Sequence, residues 1–188
     1  MRILIAPNAF KGSLTAGRAC AAIASGAREA FPGAELEELP VADGGDGLLE
    51  ALAPVLGGRI IKTRVDGPLG VPVEARWLLA GRAAVIEMAE ASGLRRMGET
   101  PLRPLDASTR GVGQLLLAAL AAGAKDITVG LGGSASNDGG AGCAQAFGFS
   151  LTNAAGREVP AGARGLASLA AIFPGEARRR LRGIRVTG

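Results

Sequence analysis

A glycine-rich segment between a strand-like run and a helical pattern is the feature that most constrains the fold. The segment GGSASNDGGAG, residues 132–142, holds five glycines and follows the apolar run DITVGL at 126–131. Consecutive backbone N–H groups beside a helix start form an anion site. The segment matches neither the Walker A pattern nor the G-x-G-x-x-G fingerprint. It predicts an anion-binding loop in an α/β fold, and a long surface loop is the alternative.

The first part of the chain predicts the order strand, helix, strand, loop, helix. We expect strands over 2–7 and 35–42, where short apolar-rich runs stop at or near prolines. Small apolar residues recur at helical spacing over 15–31, with Thr15 as the N-cap, and a second helix is predicted over 48–57. This order is typical of an α/β sandwich with a parallel sheet.

The pattern changes near Gly57. Strand-like runs at 58–65, 71–80 and 83–89 are separated only by turn residues, which predicts an antiparallel meander. A helix over 109–123 follows, and IRVT near the end of the chain resembles the start of a strand. The change indicates a second domain that begins after residue 57.

Polar residues follow both predicted strands of the first part. NAFKGS at 8–13 contains Lys11, and PVADGGDG at 40–47 contains Asp43 and Asp46. In a parallel sheet these loops share one edge, where α/β proteins bind ligands. The lysine suits a phosphate or carboxylate, and the aspartates suit a substrate hydroxyl or Mg²⁺. The alternatives are a solvated lysine and an Asp46 that only caps the following helix.

Composition excludes several classes of function. The chain has no histidine, so acid–base chemistry must use carboxylates, lysine or substrate groups, and a zinc site is not expected. Cys20 and Cys143 lie in helical patterns and predict small buried apolar residues in a cytoplasmic protein. The net charge of +4 comes from the arginine-rich end, 175–188, which favours a solvated helix face over nucleic-acid binding. No apolar run predicts a membrane span.

Six motifs, in order and spacing, resemble those of the bacterial glycerate kinases of the type 1 family. The resemblance extends over the whole chain and rests on ILIAPNAFKGSLTA, LPVADGGDG, GPLG, VIEMAEASGL, STRGVGQLL and GLGGSASNDGGAG.

The resemblance implies phosphorylation of D-glycerate by ATP, with Mg²⁺, to 2-phosphoglycerate or 3-phosphoglycerate. It also implies two α/β domains: a discontinuous Rossmann-like domain with a parallel sheet, and an inserted domain with a mixed sheet. Residues 1–57 are then the first segment of the Rossmann-like domain, and 58–188 are part of the inserted domain. Family members are about twice as long, so we expect an N-terminal half that is unstable alone. A homodimer is left open.

The residues that match the motifs form the predicted site. Asp43 and Lys11 are expected to be catalytic, and Asp43 is also the expected Mg²⁺ ligand. Relatives more often have aspartate in place of Asn8, and Val112 and Gln114 also depart from the family pattern. The residues expected to bind substrate or nucleotide are Asn8, Asp46, Glu87, Arg110, Gly132, Gly133, Ser134, Asn137 and Asp138.

Two alternatives stay open at this point. Glu87 ends a predicted strand, and it is either a lining residue of an interdomain cleft or a structural carboxylate that accepts backbone N–H groups. For the chain as a whole, the alternative to a kinase is a non-catalytic α/β module that binds an anion or a nucleotide.

Overall fold

The computed structural model describes residues 1–10, 12–98 and 101–188. Its first part forms two strands and two helices: β1 (Arg2–Ile5), α1 (Ala16–Ala30), β2 (Glu35–Glu38) and α2 (Leu48–Leu56).

Strands β1 and β2 pair in parallel, as the sequence predicts, and α1 covers them. The Thr15 side chain accepts a hydrogen bond from the Arg18 N–H and is the N-cap of α1. Cys20 and Ala24 pack against Ile5 in a small apolar cluster. Both strands are shorter than predicted and end before the prolines that follow them. The carboxyl ends of β1 and β2 therefore point the same way.

A five-stranded mixed sheet forms the centre of the molecule. In their order across the sheet, its strands are β3 (Arg59–Asp66), β4 (Pro72–Ala80), β5 (Ala83–Glu87), β6 (Asp126–Gly130) and β9 (Arg185–Thr187).

The sheet combines two strand arrangements. Strands β3, β4 and β5 form the predicted antiparallel meander, whereas β5, β6 and β9 run parallel. The strand predicted over 83–89 ends at Glu87, because the helix α3 (Met88–Ser92) begins directly after it. This places the carboxyl ends of β5 and β6 side by side.

The remaining elements surround this sheet. A 3₁₀ turn at Leu94–Arg96 follows α3, and β7 and β8 form a short antiparallel pair. The other bounds are α4 (Arg110–Ala121), α5 (Ala141–Phe147), β7 (Ser150–Thr152), α6 (Ala163–Leu166), β8 (Ala171–Phe173) and α7 (Ala177–Arg180).

The main core lies between the central sheet and α4. Trp77 and Ile86 are buried there against Leu115, and the Trp77 indole N–H donates to Thr63 Oγ1 at 2.9 Å. Helices α4 and α5 approach closely at Gly113, where a Cβ atom would lie 2.8 Å from the Ala146 Cβ. Glycine at this position therefore lets the two helices pack this closely.

Helix α2 joins the first part of the chain to the central sheet. Leu48 and Leu49 pack against Leu78 of β4 and Val85 of β5. The domain boundary at residue 57 stays a prediction. Within the described residues, no helix combines the length and apolar character needed to cross a membrane.

Candidate active site

A cleft of about 560 Å³ lies where the loops after β1, β2 and β6 meet. Its lining includes Asn8, Asp43, Asp46 and Gly133, together with Arg95 from the 3₁₀ turn. We call it the carboxylate cleft. Three separate sequence motifs therefore meet here. The parallel pairing of β1 and β2 predicts that the first two share an edge, whereas the approach of the loop after β6 was not predicted. Lys11, also predicted for this site, lies outside the described residues.

The loop that carries the aspartates, residues 43–47, touches the glycine-rich segment main chain to main chain. We call these the aspartate loop and the glycine loop (132–142). The Gly132 N–H donates to the Gly44 carbonyl at 3.0 Å, and a Cβ on Gly132 would lie 2.6 Å from the Gly45 nitrogen. A Cβ on Gly130 would overlap the Gly44 carbonyl. Glycine is therefore required at these positions because a side chain would separate the two loops.

Asp43 is the less constrained of the two aspartates in the cleft. Its side chain is exposed, and its Oδ1 accepts a hydrogen bond from the Gly45 N–H at 3.2 Å. Within residues 1–10, 12–98 and 101–188, no cation pairs with it. Asp43 therefore lines the cleft with a carboxylate that has no ionic partner from that part of the chain.

Asp46 is held by an ion pair. Its Oδ1 lies 3.1 Å from Arg95 Nη1. The N-cap of α2 is Gly47, in a left-handed conformation with no side-chain cap bond. The alternative that Asp46 caps this helix is therefore wrong.

Glu87 is fully buried behind the cleft. Its Oε2 accepts the N–H groups of Gly47 at 3.3 Å and Leu49 at 3.4 Å, and its Oε1 lies 3.1 Å from Arg95 Nη2. Burial raises the pKa of Glu87 above its ordinary value, although Arg95 and the Leu49 N–H act in the opposite direction. Glu87 is therefore a structural carboxylate that accepts backbone N–H groups. It is not among the residues that line the cleft, where it was expected to bind substrate or nucleotide.

Glu90 and its arginine partners adjoin the candidate site and were not predicted from the sequence. The Glu90 carboxylate is buried and accepts from Arg76 Nη2 and Arg95 Nη2, each at 2.6 Å, and from Arg96 Nη2 at 2.9 Å. Burial alone would raise the pKa of Glu90, but the hydrogen bonds and charges of Arg76 and Arg95 outweigh it and lower this pKa. The two arginines just after VIEMAEASGL could have indicated ion pairs with its glutamates. The contact from Arg76 could not be predicted, because it depends on the register of β4.

A second cleft, of about 540 Å³, lies on the other side of the segment Leu131–Ser134. Its walls are mostly apolar and include Val112, Leu116 and Val186, and its polar rim includes Asn137. We call it the apolar cleft. The predicted residues of the glycine loop therefore divide: Gly132 and Gly133 face the carboxylate cleft, and Ser134 and Asn137 face the apolar cleft.

Asp138 holds the glycine loop together rather than presenting a free carboxylate. It is 1 % exposed and accepts hydrogen bonds from Ser108, Thr109, Gly140 and Gly142. The first backbone N–H groups of α5 are therefore already bound, those of Gly140, Ala141 and Gly142 by Asp138 and that of Cys143 by Thr109 Oγ1. They are not available to an anion, which corrects the expected anion site at this helix start.

Arg110 does not join the predicted site. Its Nε lies 3.1 Å from Asp66 Oδ2, and Gln114 Nε2 donates to the same oxygen at 3.1 Å. Arg110 is absent from the lining of both clefts. It ties α4 to the end of β3.

The residues of the carboxylate cleft suit Mg²⁺ only with help from a ligand. In the described part of the chain, no group of three or more acidic, cysteine or histidine side chains is placed so that it could hold a metal ion. Mg²⁺ usually keeps several waters and takes one or two carboxylates plus substrate phosphates. The exposed Asp43 carboxylate fits that form of binding.

Comparison with known proteins identifies the family. The model of the glycerate kinase family matches residues 3–188, and the chain belongs to this family. It is 47% identical over 188 residues to a glycerate kinase of Bacillus subtilis, and 46% identical over 171 residues to a glycerate 2-kinase of Escherichia coli. These alignments cover 99% and 90% of this chain but 49% and 45% of those proteins.

A solved structure gives the same result for the fold. The crystal structure of a candidate glycerate kinase 2 from Salmonella typhimurium LT2 matches with a TM-score of 0.79 and 44% identity. The match covers 99% of this chain and 51% of that one. The chain thus spans about half the length of the relatives it matches.

Proposed function

We propose that the protein carrying this chain transfers a phosphoryl group from ATP to D-glycerate, giving 2-phosphoglycerate or 3-phosphoglycerate. The observation that supports this most is the carboxylate cleft, where Asn8, Asp43, Arg95 and the backbone of Gly132–Gly133 converge. Phosphoryl transfer depends on positioning and charge stabilisation, which such a cleft can supply without histidine. A cytoplasmic location and a homodimer stay predictions.

Asp43 is the proposed base or Mg²⁺ ligand in this cleft. It is exposed, and among the described residues it has no ionic partner, so its carboxylate can accept the proton of a substrate hydroxyl. A bound Mg²⁺ would neutralise charge on the transferred phosphoryl group. Arg95 also lines the cleft, but its guanidinium is already paired with Asp46, Glu87 and Glu90, so its proposed role is to hold these carboxylates in place. We keep Lys11 as a phosphate-binding residue on sequence grounds alone.

The apolar cleft is the proposed place for the nucleotide base and ribose. Its apolar walls suit an aromatic ring, and Ser134 and Asn137 offer hydrogen-bonding groups at its rim. It adjoins the carboxylate cleft at Gly133 and Ser134. A nucleotide there would extend its phosphates across this backbone toward Asp43.

The test is product detection with the protein encoded by the complete reading frame. D-Glycerate and Mg-ATP are mixed with the purified enzyme, and phosphorus NMR records the products. We expect a phosphoglycerate resonance, whose coupling pattern identifies the 2- or 3-hydroxyl. Asp43→Ala should lose most of the turnover, whereas Asp126→Asn, at the other end of β6, should retain it.

Two results would count against the proposal. Turnover retained in Asp43→Ala would remove Asp43 from the mechanism. Nucleotide binding by a folded protein without any transfer to D-glycerate would favour the alternative, a non-catalytic binding module. In that case Asn8→Asp is the first variant to test, because the family resemblance implies an aspartate at this position.

A further inference from the structure

We propose that Glu87 is a positioning residue that fixes the aspartate loop from behind the carboxylate cleft. It acts through the first amides of α2 and through Arg95. The inference rests on the proposed function for its catalytic consequence, but its structural part can be measured separately.

The first step is the capping of α2 by a residue from another element. Gly47 supplies no side-chain cap, so the N–H groups at the start of α2 need other acceptors. Glu87, the last residue of β5, accepts the N–H groups of Gly47 and Leu49 with one oxygen. A carboxylate also interacts favourably with the positive end of a helix. The aspartate loop is thereby tied directly to the central sheet.

The second step is the connection from Glu87 to Asp46. Arg95 Nη2 lies 3.1 Å from Glu87 Oε1, and Arg95 Nη1 lies 3.1 Å from Asp46 Oδ1. The same Nη2 also contacts Glu90 at 2.6 Å, which fixes the guanidinium further. The chain Glu87–Arg95–Asp46 thus runs from the buried end of β5 to the surface of the cleft.

The consequence is a division of roles between the two aspartates. Asp46 is neutralised and held by Arg95, while Asp43, three residues earlier, keeps an oxygen without an ionic partner in the described part of the chain. Glu87 itself does not line the cleft, so it influences the reaction through the position of these residues. Replacing it should displace Asp43 without removing any group that contacts substrate.

The experiment compares Glu87→Gln with the matched control Asp126→Asn in the product of the complete reading frame. Asp126 lies at the opposite end of the sheet and pairs with Arg185 at 2.7 Å. In Glu87→Gln we expect faster amide hydrogen exchange confined to residues 44–50. We also expect kcat to fall by about 100-fold, the order of loss that a 1 Å misplacement produces, with a much smaller change in KM. The control should match the wild type in both measurements.

A double-mutant cycle separates positioning from a general loss of stability. If Glu87 acts through Arg95 and Asp46, the variant combining Glu87→Gln with Asp46→Asn should have a kcat close to that of the worse single variant. Independent structural damage would make the two losses multiply. If Glu87→Gln does not fold, Arg95→Lys takes its place in the test. Lysine keeps the positive charge but cannot contact Glu87 and Asp46 at the same time, so kcat should fall, by less than the 100-fold expected for Glu87→Gln.

Unchanged exchange at 44–50 in a folded Glu87→Gln would overturn the inference, and multiplicative losses in the cycle would overturn its second step, the connection through Arg95 to Asp46. If the wild type transfers no phosphate to D-glycerate, the proposed function fails. The exchange measurement then still decides whether Glu87 fixes the aspartate loop.

Discussion

The aspartate loop and the glycine loop have similar sequences, but the first exposes an aspartate to a cleft and the second buries one. Each follows a strand, contains several glycines and ends at a helix start. In the aspartate loop, Asp43 is exposed to the cleft and the helix start is bound by Glu87 from outside. In the glycine loop, Asp138 is buried and binds the helix start itself. The source of the helix cap therefore decides which loop keeps a carboxylate for a ligand.

The largest effect should come from removing the internal acceptor of the glycine loop. Asp138→Asn replaces a charged acceptor with an amide whose NH₂ faces donors such as the Thr109 N–H, 2.9 Å from Oδ2. We expect the free energy of unfolding to fall by about 3 kcal/mol, since each hydrogen bond to a charged group contributes about 1.5 kcal/mol or more. Denaturant titration followed by circular dichroism measures it.

The matched variant Asp43→Asn tests the other side of the comparison. Because Asp43 is exposed, the free energy of unfolding of this variant should differ from that of the wild type by less than about 0.5 kcal/mol. Equal losses in the two variants would show that both carboxylates are structural.

The contact between the loops should be the next most sensitive feature. Gly132→Ala places a methyl group against the Gly45 main chain, which cannot move aside like a flexible side chain. We expect a loss of about 1–3 kcal/mol, as for overpacking. Gly26→Ala in α1, where nothing lies within 4 Å, should instead gain about 0.5–1 kcal/mol. Thermal melts of the two variants check the difference, and a neutral Gly132→Ala would mean that the loops are not in close contact.

Acid should destabilise the protein through Glu90, which holds Arg95 beside the aspartate loop. Its pKa is lowered in the folded state, so its contribution to stability is present above its ordinary value of 4.5 and is lost as the pH falls through the folded value. Glu87 has the opposite sign: its pKa is raised, so stability decreases as the pH rises from 4.5 toward the folded value. Unfolding measured from pH 3 to 7 should therefore show a shallower acid loss in Glu90→Gln. An unchanged slope below pH 4.5 would contradict this assignment.

The last prediction concerns the reactivity of Cys143 beside the glycine loop and involves no change in stability. Burial and the Asp138 carboxylate raise the pKa of its thiol to about 11. At pH 8 its reaction with a disulfide reagent should be about 100-fold slower than that of an unperturbed thiol, because the thiolate is the reactive form. Stopped-flow absorbance in a Cys20→Ser background measures the rate. A rate typical of a free thiol would show that Cys143 is accessible and ionised.

Local sequence patterns predicted most of the elements up to α5 and one part of the candidate site, but not α3 or the short elements β7, α6 and β8. Asn8, Asp43 and Asp46 were predicted to lie at one edge, because they are in the loops that follow β1 and β2 and these strands pair in parallel. The pattern could not predict that Arg95 reaches Asp46, since that depends on the 3₁₀ turn after α3. It also could not separate Asp138 from Asp43, because the donors around Asp138 come partly from Ser108 and Thr109, about thirty residues away.

The glycine contact between the two loops also limits how the family can diverge at this site. The contact contains no side chain, so exchanging one residue type for another cannot adjust the spacing between Asp43 and the loop after β6. Only a change in loop length, or a shift of a whole strand end, can alter it. A relative that acts on a larger acid would therefore be expected to differ here by insertion or deletion, while Gly130 and Gly132 stay glycine.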